Sequence, residues 1–177
     1  MVDERVPFAI REMRSEDARA FLEVHHAAVR GVAAKDYSAE IIDAWAPLPI
    51  NERQAAGILT NPDDEYRLVA ETEGRVVGIA ALVAKNHEVR ACYVAPEAGR
   101  RGVGSALLRE IEREALQRGL KFLETDSSLT AEPFYAAQGY LVLERGEHVL
   151  YNGERMACVK MRKHLVSPRA STSEARG

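Results

Sequence analysis

Residues 98–108, AGRRGVGSALL, join an apolar, β-branched run to an amphipathic one, and this junction constrains the fold more than any other stretch. Upstream, YRLVAET, RVVGIAALVA and EVRACYVA are strand-like and separated only by EGR and KNH. Links that short join antiparallel neighbours, so the three segments read as a meander. Downstream, Val103, Leu107, Ile111 and Ala115 line one side of a helix over residues 103–118, with Leu108 beside them. Arg109, Glu110, Glu112, Arg113 and Glu114 occupy the other side, and Gly119 stands where a helix C′ residue belongs. KFLETD then reads as a strand. A right-handed strand–helix–strand crossover makes it parallel to the strand before the glycines. The fold class is therefore α/β with an α+β-like character, a mixed and mostly antiparallel sheet with one parallel pair.

The flanks fit one domain. VPFAIREM reads as a first strand and Ser15 as the N-cap of a helix whose apolar face is Ala18, Phe21, Leu22, Ala28, Val29 and Val32. Ser38 reads as the cap of AEIIDAW, which Pro47 and Pro49 stop, and NERQAAGIL is a third helical piece ending at the turn signal TNPDD. TAEPFYAAQ is a short helix ended by Gly139; YLVLERG and ERMACVKMRK are the last strands, joined by a hairpin around YNGE. The expected domain is 1–165, with 166–177 a small, polar tail that reads as disordered. There are no internal repeats.

With 24 Lys and Arg against 27 Asp and Glu, the net charge is −3 and the charges are interspersed, so nucleic acid is not an expected partner. The opening MVDERVPFAI carries neither a signal peptide's apolar run nor a membrane span, and Cys92 and Cys158 read as reduced thiols. A cytoplasmic protein is the expectation. The five histidines are not spaced as metal ligands, so no metal is expected.

Glycines opening a helix suggest a phosphate site, because the free N–H groups and the dipole there favour anions. A Walker A loop requires a lysine that is missing after Gly104, and a Rossmann fingerprint requires glycine where Leu107 stands. Glu124, twenty residues past Gly104, is the one feature favouring a dinucleotide-dependent oxidoreductase, but the motif follows antiparallel strands rather than opening a parallel series. What remains is a loop that holds a pyrophosphate by main-chain amides. Gly102 and Gly104 allow close approach, and Arg100 and Arg101 add charge. No metal is needed, and the nucleotide serves as a handle.

CYVAP, GRRGVGSAL with the following LRE, and PFYAAQGY together resemble the GCN5-related N-acetyltransferase (GNAT) superfamily over about the whole chain. The family loop [QR]-x-x-G-x-[GA], laid on Gly99–Gly104, implies that Arg100, Arg101, Gly102, Val103, Gly104 and Ser105 bind the pyrophosphate of acetyl-CoA, the co-substrate. Gly99 departs from the family's Gln or Arg, and Ser128 stands where many members have an Asn on the coenzyme. The resemblance further implies a bulge that splays the sheet at its parallel pair, helices on both faces, and main chain at Tyr93 and Val94 receiving the pantetheine arm. Near Val94, a backbone N–H would meet the oxyanion.

Acetyl transfer to an amine requires a neutral nucleophile, and an alkyl ammonium is roughly one part in a few thousand neutral at pH 7. By resemblance Tyr135 is the general acid for the leaving thiolate, its other reading being a core aromatic beside Phe134. Glu88 is by resemblance the base and equally reads as a solvent-facing strand residue or a partner for Arg90. Glu124 and Asp126, on the next strand, stand in reserve, and His87 reads as an exposed turn residue. Cys92 offers an acetyl-thiol route, but no histidine is placed to activate it, so direct attack is favoured. The N-terminal helices and last hairpin would shape the acceptor site, which makes Trp45, Tyr37, His25 and His148 candidates for its lining. Trp45 equally reads as core, and both histidines read as ordinary, His25 as a satisfied residue on the first helix's apolar face. The expected activity is acetyl transfer to a primary amine of a small molecule or peptide. A non-catalytic acetyl-CoA-binding module is the alternative, and the resemblance admits a homodimer. Acceptor identity is not in the sequence.

Overall fold

Among residues 7–166, which the computed structural model describes, one seven-stranded sheet runs β1-β2-β3-β4-β5-β7-β6. The strands are β1 (Ala9–Glu12), β2 (Tyr66–Thr72), β3 (Arg75–Val83), β4 (Glu88–Val94), β5 (Phe122–Ser128), β6 (Leu141–Val149) and β7 (Arg155–His164). The helices are α1 (Ala18–Gly31), α2 (Ala39–Trp45), α3 (Glu52–Thr60), α4 (Val103–Gln117) and α5 (Glu132–Ala137). Every neighbouring pair is antiparallel except β4 and β5, which are parallel as the crossover requires. The disordered-tail expectation lies outside the described residues apart from Val166.

The near-continuous apolar run of β2 and β3 is explained by cover on both faces. Leu68, Ala70, Ala80 and Leu82 pack with Val103, Leu107 and Ile111 of α4, whereas Val69 and Ile79 pack with Phe21 and Val24 of α1. The period-2 alternation of the strands thus sorts one sequence into two core layers. α4 lies very close to β3: a Cβ at Gly78 would stand 2.8 Å from Val103 Cγ1 and 2.9 Å from Leu107 Cδ1. That contact fixes the start of α4, and with it the glycine loop, against the middle of the sheet.

Two local expectations are corrected. Ser15 does not cap α1; a 3-10 turn at Ser15–Asp17 intervenes, and the Asp17 carboxylate accepts the Arg14 N–H at 2.7 Å and the Arg11 guanidinium at 2.6 and 3.0 Å. A buried carboxylate with three donors outcompetes a serine hydroxyl for the turn. Val32 is exposed rather than part of the apolar face, because α1 ends at Gly31, while Val24 and His26 are buried there instead.

Candidate active site

The site begins where β4 and β5 stop pairing. Their only ladder register is Glu88 with Glu124, supported by Glu124 N–H to His87 O at 2.8 Å. One residue further on, the Thr125 hydroxyl donates to Val89 O at 3.0 Å in place of the next main-chain bond. On its other side β4 carries a bulge. Ala91 pairs with Ala81 and Val89 with Leu82, so Arg90 has no partner in the register. A bulge bends its strand and increases local twist, and here it turns β4 away from β5.

Beyond the bulge, Ala95 N–H donates to Val77 O at 2.8 Å. The antiparallel alternation then directs the amide of Tyr93 towards β3 and the amides of Cys92 and Val94 into the gap. Two cavities open on this gap, of about 310 and about 520 Å³, and they share Trp45, Cys92, Tyr93, Ser128 and Ala131 as walls.

The smaller cavity is the one the glycine loop serves. Of the residues assigned to coenzyme binding, Tyr93, Val94, Arg100, Gly102, Val103, Gly104, Ser105 and Ser128 line it. Arg101 is exposed and does not. Arg100 and Gly102 both take left-handed backbone, φ +61° and +82°, which turns the chain sharply into α4. α4 starts at Val103 without a side-chain cap, so its first amides are free for an anion. The Ser105 hydroxyl accepts from Gln138 Nε2 at 3.0 Å, and the Ser128 hydroxyl accepts Ala131 N–H at 3.1 Å, leaving each its own O–H to donate. This donor set, with no carboxylate on the wall, fits a pyrophosphate. No group of three or more His, Cys, Asp and Glu side chains suited to a metal occurs among the described residues, and no helix there is long and apolar enough to cross a membrane.

The larger cavity has an aromatic wall and a charged floor. His25 meets the Tyr93 ring edge-on at 4.8 Å and that of Trp45 at 6.2 Å, so His25 belongs to the cavity lining rather than being an ordinary core histidine. Burial, with His26 beside it, pushes the His25 imidazole down to about 4. His26 is the satisfied histidine, bonded to Leu22 O and Pro47 O. On the floor, Arg90 pairs with Glu88 at 2.9 Å, Glu65 at 2.8 Å and Asp63 at 2.6 Å, and Arg67 pairs with Glu65 at 2.6 Å.

Glu88 therefore faces the cavity with its carboxylate held by Arg90. Glu124 does not line this cavity; Arg162 holds it. Asp126 does, within 3.4 Å of His148, another lining residue. His87 instead stacks on Phe122, with ring centroids 4.4 Å apart.

Tyr135 lines the larger cavity, its ring edge-on to Phe134 and Tyr140, and burial raises its phenol well above the usual range. It is protonated at any working pH. Burial likewise pushes the Cys92 thiol up to about 12, and its Sγ sits 3.6 Å from Gly104 O. A thiol so placed is a poor nucleophile at neutral pH. Tyr37 lines neither cavity. Its hydroxyl donates to Ala157 O and accepts Leu129 N–H, both at 2.7 Å, bracing the loop before α2 against the far ends of β5 and β7.

Sequence reasoning anticipated Arg90 as a partner for Glu88 but missed Glu65 and Arg67 beside it. Their adjacency comes from lateral strand register and from the loop after α3, and charged residues at strand starts carry no signal of their own.

The acetyltransferase (GNAT) domain family matches residues 33–165. The GCN5-related N-acetyltransferase "Aminotransferase, Class-II" from Rhodopseudomonas palustris has a crystal structure similar to this one, with a TM-score of 0.79 at 33% identity, covering 89% of this chain and 95% of that one. The uncharacterized N-acetyltransferase YafP of Escherichia coli (strain K12) is 29% identical over 136 residues, 77% of this chain and 83% of that protein. PaiA N-acetyltransferase from Thermoplasma acidophilum, solved in complex with coenzyme A, shares the fold at a TM-score of 0.70 and 20% identity, covering 89% and 99% of the two chains. With a splayed parallel pair, a glycine loop opening α4 and a family match over most of its length, the chain belongs to the GNAT acetyltransferase family.

Proposed function

We propose that the protein transfers the acetyl group of acetyl-CoA directly to a primary amine of a small molecule or peptide. The observation that carries this reading is the gap between β4 and β5, whose walls are shared by a loop-side cavity suited to a pyrophosphate and a larger cavity suited to an acceptor. The coenzyme supplies an activated thioester. The amides of Arg100 through Gly104 and the start of α4 hold its pyrophosphate, and the Cys92 and Val94 amides line the path of its arm. One of these amides meets the carbonyl oxygen as that atom gains charge.

Glu88 takes the amine proton. It borders the larger cavity and also a third one, of about 260 Å³, that includes Glu124, Asp126 and Lys160, which gives the proton a way out. Tyr135, protonated through burial, returns a proton to the leaving thiolate. The two unpaired cysteines fit a reducing compartment such as the cytoplasm.

Release of free thiol from acetyl-CoA across a panel of primary amines tests the reading. Amine-dependent release supports it. Tight acetyl-CoA binding with no release for any amine defeats it in favour of a binding module.

A further inference from the structure

The larger cavity is bordered by two guanidinium groups, and they are not equally occupied. Arg90 gives every nitrogen to a carboxylate: Nε and Nη2 to Glu88, and Nη1 to both Asp63 and Glu65. Arg67 does not. Its Nε donates to Glu65 and its Nη1 to Ile58 O, while Nη2 has no hydrogen-bond partner among the described residues. Nor is Nη2 sealed in the core, since Tyr140 Oη is the only fully buried side-chain polar atom without a partner among those residues.

The Arg67 side chain is nevertheless only 11% exposed, so its free donors open onto an enclosed space rather than bulk solvent. Arg67 borders the larger cavity and also a pocket of about 260 Å³ beside Ser15. Its guanidinium belongs with the first. The group lies 5.9 Å from the centre of the Phe21 ring and donates to Ile58, and those two residues line the larger cavity but not the pocket.

Strand register leaves the floor of this cavity open. Arg67 on β2 faces Ala81 on β3, which in turn faces Ala91 on β4, and all three line the cavity. Directly opposed side chains share a face of the sheet, so two methyl groups are all that this row places between Arg67 and the gap. β2 and β4 are two strand spacings apart, about 10 Å. Trp45, Tyr93 and the neutral His25 wall the same space without charge. Glu88 and Asp126 stand at its gap end.

We propose that the acceptor is an amino carboxylate, an amine joined to a carboxylate through an apolar or aromatic spacer, and that Arg67 selects it by binding the carboxylate. A guanidinium already anchored through Nε and Nη1 is a preorganised donor for a planar anion. The fixed charges beside it balance, Lys85, Arg90 and Arg67 against Asp63, Glu65 and Glu88. A zwitterion therefore enters without adding net charge, its amine towards Glu88 and its carboxylate on Arg67. The fate of the amine rests on the acetyl-transfer reading; capture of the carboxylate does not.

Matched pairs of compounds test this. With saturating acetyl-CoA, thiol release is followed for 6-aminohexanoate against 6-aminohexanamide, and for 4-(aminomethyl)benzoate against its amide. In the wild type the acids are expected to have KM values at least about tenfold below those of the amides. Arg67→Met, which keeps the length and removes the donors, brings the acid-to-amide ratio of kcat/KM close to one, and the loss falls on KM. Arg67→Lys, a charge without the fork, gives an intermediate ratio. Melting curves establish that the variants are folded, and the wild-type ratio needs no variant.

In a second arm, ligand-observed NMR compares 4-methylbenzoate with 4-methylbenzamide, neither of which carries an amine. The acid is expected to bind at least about tenfold more tightly to the wild type, and Arg67→Met removes the difference. Acid binding through Arg67 without thiol release for any amine would defeat acetyl transfer and uphold the carboxylate site. Equal KM values for acids and amides, or acid binding indifferent to Arg67→Met, overturns the proposal.

Discussion

The Thr125 hydroxyl donates to the carbonyl oxygen of Val89 at 3.0 Å, and it is the last tie between β4 and β5 before the two strands separate. A side chain here takes over from the backbone ladder, so the strands end their pairing without stranding a buried carbonyl. The gap that follows joins the two cavities, which makes this bond the hinge post of the site.

Replacing Thr125 with Val keeps the shape and removes the donor. Val89 O, on a fully buried residue, then lacks its partner, at a cost of about 1–3 kcal/mol. Chemical denaturation is expected to show that loss, together with a lower kcat as the gap loses its fixed width. Unchanged stability would mean that Val89 O finds another donor.

Gly102 has φ +82° with open space around its Cβ direction, so a substitution there meets strain rather than a clash. Gly102→Val costs about 1–2 kcal/mol of backbone strain and re-aims the loop amides. Circular dichroism is expected to be unchanged, while the dissociation constant for acetyl-CoA rises at least about tenfold. Equal affinity in the two proteins would remove the loop from coenzyme binding.

Tyr135→Phe deletes one hydroxyl from a packed ring. If Tyr135 protonates the leaving thiolate, kcat falls by about 10²-fold with little change in the KM for acetyl-CoA. A variant that keeps full turnover with every accepted amine would reassign that proton.

His25 carries a pH signature. Its imidazole titrates at about 4 in the folded chain, below the usual value near 6.5, because burial disfavours the cation. The unfolded chain therefore binds more protons between those values. Stability attributable to His25 is full above about pH 6.5 and is lost progressively as the pH falls towards 4, by up to about 3 kcal/mol. Urea denaturation at pH 7, 5.5 and 4.5 is expected to show a flatter profile for His25→Gln than for the wild type. Parallel profiles would contradict a buried, neutral His25.

The sequence made the strand order around the glycine loop legible because its signals there are local: short links, an amphipathic period, a crossover with one allowed hand. The parallel pairing of Glu88 with Glu124 follows from these. What stayed hidden is lateral. Nothing near Arg90 in the chain announces Asp63 and Glu65, which approach it from the loop after α3. Likewise His25 reads as an ordinary helix residue until Tyr93 and Trp45 close around it. Ser15 failed as a cap for the same reason, since Arg11 on the neighbouring strand recruited Asp17 to hold the turn.

Calorimetric titration with acetyl-CoA, run beside NADH and ATP, tests the central claim most directly. Selective binding of acetyl-CoA to the wild type, weakened in Gly102→Val, is the predicted result. Failure of the folded protein to bind acetyl-CoA, or preference for NADH, would contradict a donor site built from the glycine loop and the gap between β4 and β5.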